Sequence, residues 1–571
     1  MKRKLLCLAM SWMLTASALA DERASLEALR QTTVNLIDAL VEQGVFTREK
    51  ADAMIKAAET RAAATAQKTA KAEAGRVRVQ YVPEIVKTEI REQLRQEVLA
   101  QARTERWAEP NAIPQWLDTI KIEGDLRLSY RLDKFAKDNA TPANFAFEAF
   151  NDLVQTNAAP GALGGVGGIS GAGAEAGQTR AADLASVNSL GVANANSKEH
   201  RERLRLRARL GILARISEQW GAGLRLATGS TTDRVSTNQT LGQDFNKYNL
   251  LVDRAFLKYD PVEWLSLTGG RIPNPWFSTD LVWDDDLNFE GVAATFKPRF
   301  GNGAIKPFLT VGAFPIKEEN QPASQGRWMQ GIQGGTQWDF STNTRLKIGV
   351  AWYGFRNFEG RVEDTSSLDV AGTTFKPMAA NYGQYEYGRN LRQKGNTLFR
   401  TNALGDTGTT SYWGLASRFR PLNLTTSLDL AHFDPVRVVL TGDWVKNTAF
   451  DRGEILARTR GRINLTDGKN YGYHYKLTLG MPKIEKARDW QISAAYRFLG
   501  SDAVVDAFTD SDFGGGGTNM KGYTLGVHYG IDNNASVGLR LLSADSIDSF
   551  TMNPAHRFSM DVIQADINVR F

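Results

Sequence analysis

From residue 120 onward the chain alternates between apolar and polar positions. Ile120, Ile122, Gly124, Leu126, Leu128, Tyr130 and Leu132 fall on one face, and Lys121, Glu123, Asp125, Arg127, Ser129 and Arg131 on the other. A side-chain period of two is that of a β-strand with one apolar and one wet side. The next stretch sets Leu204, Leu206, Ala208, Leu210, Ile212, Ala214 and Ile216 against Arg203, Arg205, Arg207, Arg209 and Arg215, and Trp220, Ala222, Leu224 and Leu226 begin a return strand. The same grammar predicts strands at 250–260, 264–272, 287–297, 305–314, 328–339, 345–355, 411–420, 436–446, 471–480, 489–499, 521–531, 535–544 and 559–571. The last closes on Ile563, Ala565, Ile567, Val569 and Phe571, alternating with Gln564, Asp566, Asn568 and Arg570. Each segment is about the ~9–11 residues that a tilted strand needs to cross a bilayer.

Connections alternate in length. Short turns at 260–263 and 341–344 alternate with long stretches at 133–202, 273–286, 356–410, 447–470 and 500–520. That asymmetry is expected of a membrane barrel and has no reason to arise in a soluble sandwich. The segment 424–433 also alternates (Leu424, Thr426, Leu428, Leu430), but counting it gives 17 strands, whereas termini on one side require an even number. It would also place the minimal Asp434-Pro435 turn on the long-loop side. We therefore assign 424–433 to a connection and expect an all-β transmembrane barrel of 16 antiparallel strands, with 18 as the alternative if 133–202 or 356–410 hides more. In hydrocarbon every backbone polar group needs a partner within the protein, so a sheet that spans it must close. Sixteen strands enclose more space than side chains fill, which leaves an aqueous channel.

Ahead of the barrel the period turns helical. Leu26, Leu29, Thr33, Leu36 and Leu40 are spaced three and four apart, Gly44 stops that helix, and Thr47 caps a second through Ala51, Met54, Ile55 and Ala58. Pro83 opens a third with Val86, Ile90, Leu94 and Val98. The expectation is a periplasmic α-helical or coiled-coil segment over 21–110, ended by Pro110 and Pro114, with Trp116 as an interfacial anchor and the barrel at 117–571. Residues 1–20 read as a secretory signal: Lys2, Arg3 and Lys4, an apolar stretch Leu5 to Leu14, and Ala18-Leu19-Ala20. The single cysteine, Cys7, lies inside it, so the processed chain would carry no thiol.

Composition sharpens this. A mean hydropathy of −0.34 and the lack of an 18-residue uncharged apolar window beyond the N-terminus exclude ordinary membrane helices, a test that a barrel escapes. The formal charge is +6, but removing Lys2, Arg3 and Lys4 leaves 66 basic residues against 63 acidic, so nucleic acid loses its main support as a partner. His200, His432, His474, His528 and His556 have no metal-ligand spacing, and there is no G-x-S-x-G elbow, so we expect no enzyme, no cofactor and no metal. The Gly514–Gly517 run lacks the lysine of a phosphate loop and reads as a loop tip.

Two features carry candidate channel chemistry. One is a basic wall, with Lys121, Arg127 and Arg131 beside the ladder Arg203, Arg205, Arg207 and Arg209. It could pair with Glu123 and Asp125, or favour anions. The other is the acidic loop between the fifth and sixth strands, with Asp280, Asp284, Asp285 and Asp286 among Trp276, Phe277 and Trp283. Folded inward, its carboxylates would face the arginines across a constriction.

Gly270-Arg271-Ile272-Pro273-Asn274-Pro275-Trp276, followed by Leu287-Asn288-Phe289-Glu290-Gly291, resembles the Gly-Arg-x-x-x-Pro strand end and following strand of Gram-negative porins. The layout of signal, helical lead, barrel and terminal Phe571 is similar to the family of putative porins, and the final strand resembles the closing strand of outer-membrane barrels. The resemblance implies an outer-membrane channel for passive diffusion of small hydrophilic solutes, in contact with outer-membrane lipid, with Phe571 read by the barrel assembly machinery and a homotrimer as one possible assembly. The alternative is an envelope tether that uses the helical segment for peptidoglycan contact or trimerisation.

Overall fold

The computed structural model describes residues 119–139, 196–299, 303–319, 326–368, 375–377, 382–388, 391–403, 412–461, 465, 469–548 and 557–571, together with Ala53, Lys56, Ala57, Thr60 and Arg61. Two compact units emerge, Met1–Ala112 and Ile113–Phe571. In the first, the five described residues are helical and exposed, and the Thr60 hydroxyl donates to the Lys56 carbonyl at 2.6 Å. The expected signal, the remainder of the helical pattern, and the Pro110, Pro114 and Trp116 boundary lie outside the described residues, as does most of 133–202.

In the second unit the alternating segments become sixteen long strands. These are β1 Ile120–Phe135, β2 Arg201–Arg215, β3 Trp220–Thr228, β4 Leu250–Val262, β5 Leu265–Pro273, β6 Asn288–Phe296, β7 Ile305–Lys317 and β8 Arg327–Ser341. They continue with β9 Thr344–Arg356, β10 Pro421–Phe433, β11 Val436–Asn447, β12 Tyr471–Gly480, β13 Trp490–Leu499, β14 Met520–Gly530, β15 Ala535–Ser546 and β16 Ser559–Arg570. All neighbours are antiparallel, and β1 pairs with β2 on one side and with β16 on the other, from Asp125↔Arg570 to Phe135↔Met560. The sheet therefore closes, and its edge strands pair with each other rather than with another molecule. Phe571 finishes the seam: its N–H donates to the Gly124 carbonyl (3.0 Å), and the Gly124 N–H donates to the Phe571 carbonyl (2.9 Å). The aromatic ring lies where a Cβ on Gly124 would stand, only 2.2 Å from that point, so the glycine makes room for the terminal ring.

The count of 16 holds, but one of its members is corrected. Leu424, Thr426, Leu428 and Leu430 belong to β10, which runs alongside β9 from Leu422↔Trp352 to Leu430↔Thr344 and turns through Asp434-Pro435 into β11. The expected strand at 411–420 is not in the barrel. Only Trp413–Leu415 is extended, and it pairs with Leu398–Arg400 inside the connection between β9 and β10. The Ala416 N–H then donates to the Thr397 carbonyl (2.8 Å), so this segment satisfies its backbone within the loop and buries both of its faces. With 411–420 removed, the Asp434-Pro435 turn falls on the short-turn side, and the alternation of loop lengths is regular throughout.

The outward face is apolar. Leu126, Leu204, Leu210, Leu257, Val292, Ile332, Leu440, Ile492, Leu525, Leu539 and Ile567 are all exposed. Aromatic rings bound this band at both ends. At the turn end Trp220 stacks on Tyr259 (4.4 Å) and Trp338 on Phe340 (4.2 Å); at the loop end Tyr473 stacks on Phe498 (5.3 Å), and Trp328, Trp352 and Tyr523 are exposed. Two aromatic girdles about an aliphatic belt are the surface that a bilayer solvates. Unusually for the outside of a protein, the core is on the inside of the cylinder, where the connections after β5, β9 and β13 pack against the wall.

Candidate functional site

On the inner face of β1 and β2, the register sets Arg131 opposite Arg203 and Arg127 opposite Arg207. Like charges directly across a ladder repel, so such a wall needs carboxylates between its members. Asp125 takes Arg207 (2.9 Å) and Arg209 (2.6 Å), and Asp133 takes Arg131 (2.7 Å) and Arg203. The expected pairing with Asp125 is therefore present, whereas Glu123 pairs with Lys121 (3.3 Å). Lys121 is exposed at the turn end, away from the ladder, and Arg127 donates to the Asn238 side chain.

The acidic loop, residues 274–287, lies inside the barrel. Local turns shape it: the Asn274 side chain accepts from Trp276 N–H (2.9 Å), and the Thr279 carbonyl accepts from the N–H groups of Val282 and Trp283. Its backbone is held to the wall by side chains. The Phe277 N–H and C=O exchange two 2.7 Å bonds with the Gln333 amide on β8, and Asp443 on β11 accepts from the Thr279 N–H (3.0 Å) and hydroxyl (2.6 Å). Asp280 meets Arg497 on β13 (2.7 Å) and His474 on β12 (3.3 Å), and the Arg497 guanidinium, with the hydrogen bond from His474, holds its carboxyl well below the usual range. Asp286 bonds Arg209 (3.2 Å) and Thr237 (3.2 Å), so the loop does reach the arginine ladder. Asp285 alone of the four is exposed. Asp284 is buried and accepts from the N–H groups of Asp286 (2.8 Å) and Ser511 (3.1 Å). Burial, with Asp510 beside it, pushes its carboxyl up to about 9.

Sequence reasoning missed the second acidic loop. Residues 500–519 also fold inward, and Asp512 binds Arg131, Arg540 (3.0 Å) and Arg205 (3.5 Å), while Asp510 binds Arg497 (2.9 Å). The signal was available, since Asp510 and Asp512 sit in a predicted loop just as Asp284 and Asp286 do. The Gly514–Gly517 run is part of this packed interior rather than a free tip: all four glycines have φ between 59° and 90°, and three are buried. The Lys394 amine donates to the carbonyls of Gly514 and Gly516, both at 2.6 Å, and burial pushes it down to about 7. Lys394, Asn396 and Thr397 from the connection after β9 thus grip the loop after β13; Asn396 bonds the Val504 carbonyl (2.8 Å), and Thr397 bonds Asp502 (2.6 Å).

Trp276 and Trp283 meet the wall edge-on, Trp276 against Phe314 (6.2 Å) and Tyr353 (5.3 Å), Trp283 against Phe289 (5.0 Å). Edge-to-face aromatic pairs contribute about 0.5–1.5 kcal/mol each beyond their burial. This knot separates two cavities. The outer one, ≈670 Å³, lies at the loop end behind Phe289, Phe314 and Met329. The inner one, ≈770 Å³, lies at the turn end and is lined by Lys258, Lys297, Arg299, Lys306 and Lys347, of which Lys258 pairs with Asp260 (2.6 Å), Arg299 with Glu263 (3.2 Å) and Lys306 with Asp339 (2.8 Å).

A family model described as "Putative porin" matches residues 30–571. No curated protein matches. Among solved structures, Salmonella typhi OmpF in complex with daunomycin is 9% identical with a TM-score of 0.37, covering 79% of this chain and 97% of that chain. The outer membrane channel DcaP of Acinetobacter baumannii is 10% identical, TM-score 0.35, with coverage of 79% and 97%. A loop L8 deletion mutant of OmpT from Vibrio cholerae is 8% identical, TM-score 0.35, with coverage of 79% and 99%. A closed transmembrane barrel with charged loops folded against its inner wall, matched by one family model along almost its whole length, places the chain in the putative porin family, as an outer-membrane channel.

Proposed function

We propose that the protein lets small hydrophilic solutes diffuse passively across the outer membrane, with a mild preference for anions. The observation that carries this reading is the charge balance of the lumen. Among the described residues, Arg127, Arg131, Arg203, Arg205, Arg207 and Arg209 meet only the carboxylates Asp125, Asp133, Asp286 and Asp512, and Lys297 and Lys347 add positive charge to the inner cavity. Preorganised excess charge in a narrow, low-dielectric passage raises the local concentration of the opposite ion. In this reading the loop with Asp280, Asp284, Asp285 and Asp286 forms the constriction, the loop with Asp510 and Asp512 completes it, and the basic wall lines the path. Lys121 stands at the periplasmic mouth. Phe571 serves as the assembly signal, and the helical segment at 21–110 stands in the periplasm, where trimerisation or peptidoglycan contact is its role. Purified protein in planar bilayers should give stepwise currents, and a salt gradient should give a reversal potential of anionic sign. Silent bilayers reject the channel reading, and a cationic potential rejects the preference.

A further inference from the structure

The inner cavity has an aromatic floor laid over a gap in the side chains of the wall. Gly335 on β8 and Gly349 on β9 stand opposite each other in the ladder. A Cβ on Gly335 would lie 2.4 Å from the Phe308 ring, and one on Gly349 would lie 3.1 Å from the Phe277 ring. With no side chain at either position the two rings settle against the backbone, edge to face at 6.4 Å. β7 brings Phe308, and the constriction loop brings Phe277, whose N–H and C=O the Gln333 amide holds in place. Lys347, two residues before Gly349, sets its amine 3.9 Å from the centre of the Phe277 ring and 5.3 Å from that of Phe308. An aromatic face holds a cation more weakly than a charge-assisted hydrogen bond does, so an arriving carboxylate can take this amine.

The other cations of the cavity are engaged. Lys258 meets Asp260, Arg299 meets Glu263, and Lys306 shares Asp339 with Arg345. Among the described residues, neither Lys347 nor Lys297 meets a carboxylate. Neutral donors are largely spent as well: Gln333 bonds Phe277, Gln337 bonds Asp339 (3.0 Å), and the Thr295 and Thr310 hydroxyls bond each other (3.3 Å). Beside the rings the lining includes Ile272, Pro273, Pro275, Pro298 and Pro307, and proline has no N–H to offer. A multiply charged oxyanion needs donors on every side and would not find them here. The cavity instead offers two ammonium groups to one negative group and an apolar, ring-lined surface to the rest of the solute. Its ≈770 Å³ is within the range of small-molecule sites, about 300–1,000 Å³.

We infer that the inner cavity binds an aromatic monocarboxylate, its carboxylate on Lys347 and Lys297 and its ring against Phe277, Phe308 and the prolines. As a solute of the channel this molecule rests on the reading above, but as a ligand it needs no current to be detected. The test is therefore a binding measurement: full-length protein in maltoside micelles is titrated with para-fluorobenzoate and followed by fluorine NMR. The expected result is a saturable change in the fluorine signal beyond that of empty micelles. Lys347→Gln should weaken it about tenfold, the weight of one charge-assisted contact, and para-fluorobenzamide, which lacks the charge, should bind wild type about tenfold more weakly. Lys121→Gln should change nothing, since that lysine pairs with Glu123 outside the cavity. Where Lys347→Gln fails to fold, Lys297→Gln carries the test, because its side chain is exposed, and it too must weaken binding. A signal that only tracks micelle loading, or that is equal in wild type and the lysine variants, overturns the proposal. Acetate that displaces para-fluorobenzoate at equal concentration overturns the assigned ring contact. Binding with silent bilayers would keep the site and reject the channel, whereas currents without binding would keep the channel and reject the site.

Discussion

Asp284 carries its proton where an ordinary carboxylate would have lost it. Its carboxyl moves from 3.8 to about 9 because burial penalises the charge and Asp510, Asp286 and Asp512 repel it. The folded chain therefore holds a proton that the unfolded chain releases. The resulting stabilisation is complete below the ordinary carboxylate value and fades as pH rises toward about 9. Asp284 also accepts the Ser511 N–H, so this titration acts on the contact between the two inward acidic loops. Hydrogen exchange at 509–512 should accelerate as pH approaches 9, beyond the intrinsic base catalysis, and Asp284→Asn should flatten that excess. A variant and wild type with the same pH profile would mean that Asp284 does not couple the loops. Asp512 acts differently, since it neutralises arginines rather than storing a proton. Asp512→Asn leaves Arg131, Arg205 and Arg540 with less countercharge and should move the reversal potential further toward anions.

Among the elements, β10 is the most instructive. Its alternation is plain in Leu424, Thr426, Leu428 and Leu430, and only the parity of the count and the side on which the Asp434-Pro435 turn would fall argue against it. Parity failed because 411–420 imitates a strand while burying both of its faces within a loop. Alternation reports that a backbone is extended and two-sided; it does not report whether the partner is a barrel neighbour or a local hairpin. The same limit hid the second acidic loop. The wall arginines were legible because strand period fixes which face they share, but nothing periodic marks which connection turns inward. That depends on contacts distant in sequence, such as Lys394 with Gly514 and Asp280 with Arg497. The place of β10 in the membrane has a direct test. Leu428 faces Leu440 and shares the outward side with Leu424. Leu428→Arg should destabilise the barrel by about 2–4 kcal/mol if that position lies near the bilayer midplane, read from unfolding in lipid vesicles. A neutral effect would argue against its lipid-facing position.

For the molecule as a whole, closure depends on the meeting of the first and last strands at Gly124 and Phe571. Gly124→Val puts a branched side chain where the terminal ring lies, 2.2 Å from a Cβ at that position. The expected outcome is a smaller fraction of heat-modifiable, folded protein on unheated gels, with the backbone register unchanged in what does fold. Full recovery of the folded band would show that the ring is dispensable for sealing the wall. Residues 274–287, 391–403 and 500–519 clasp one another inside a ring whose joining rungs link β1 to β16. These connections leave the wall after β5, β9 and β13, so each clasp ties together parts of the ring that are distant in sequence, and the cylinder is braced from within as well as sealed at its seam.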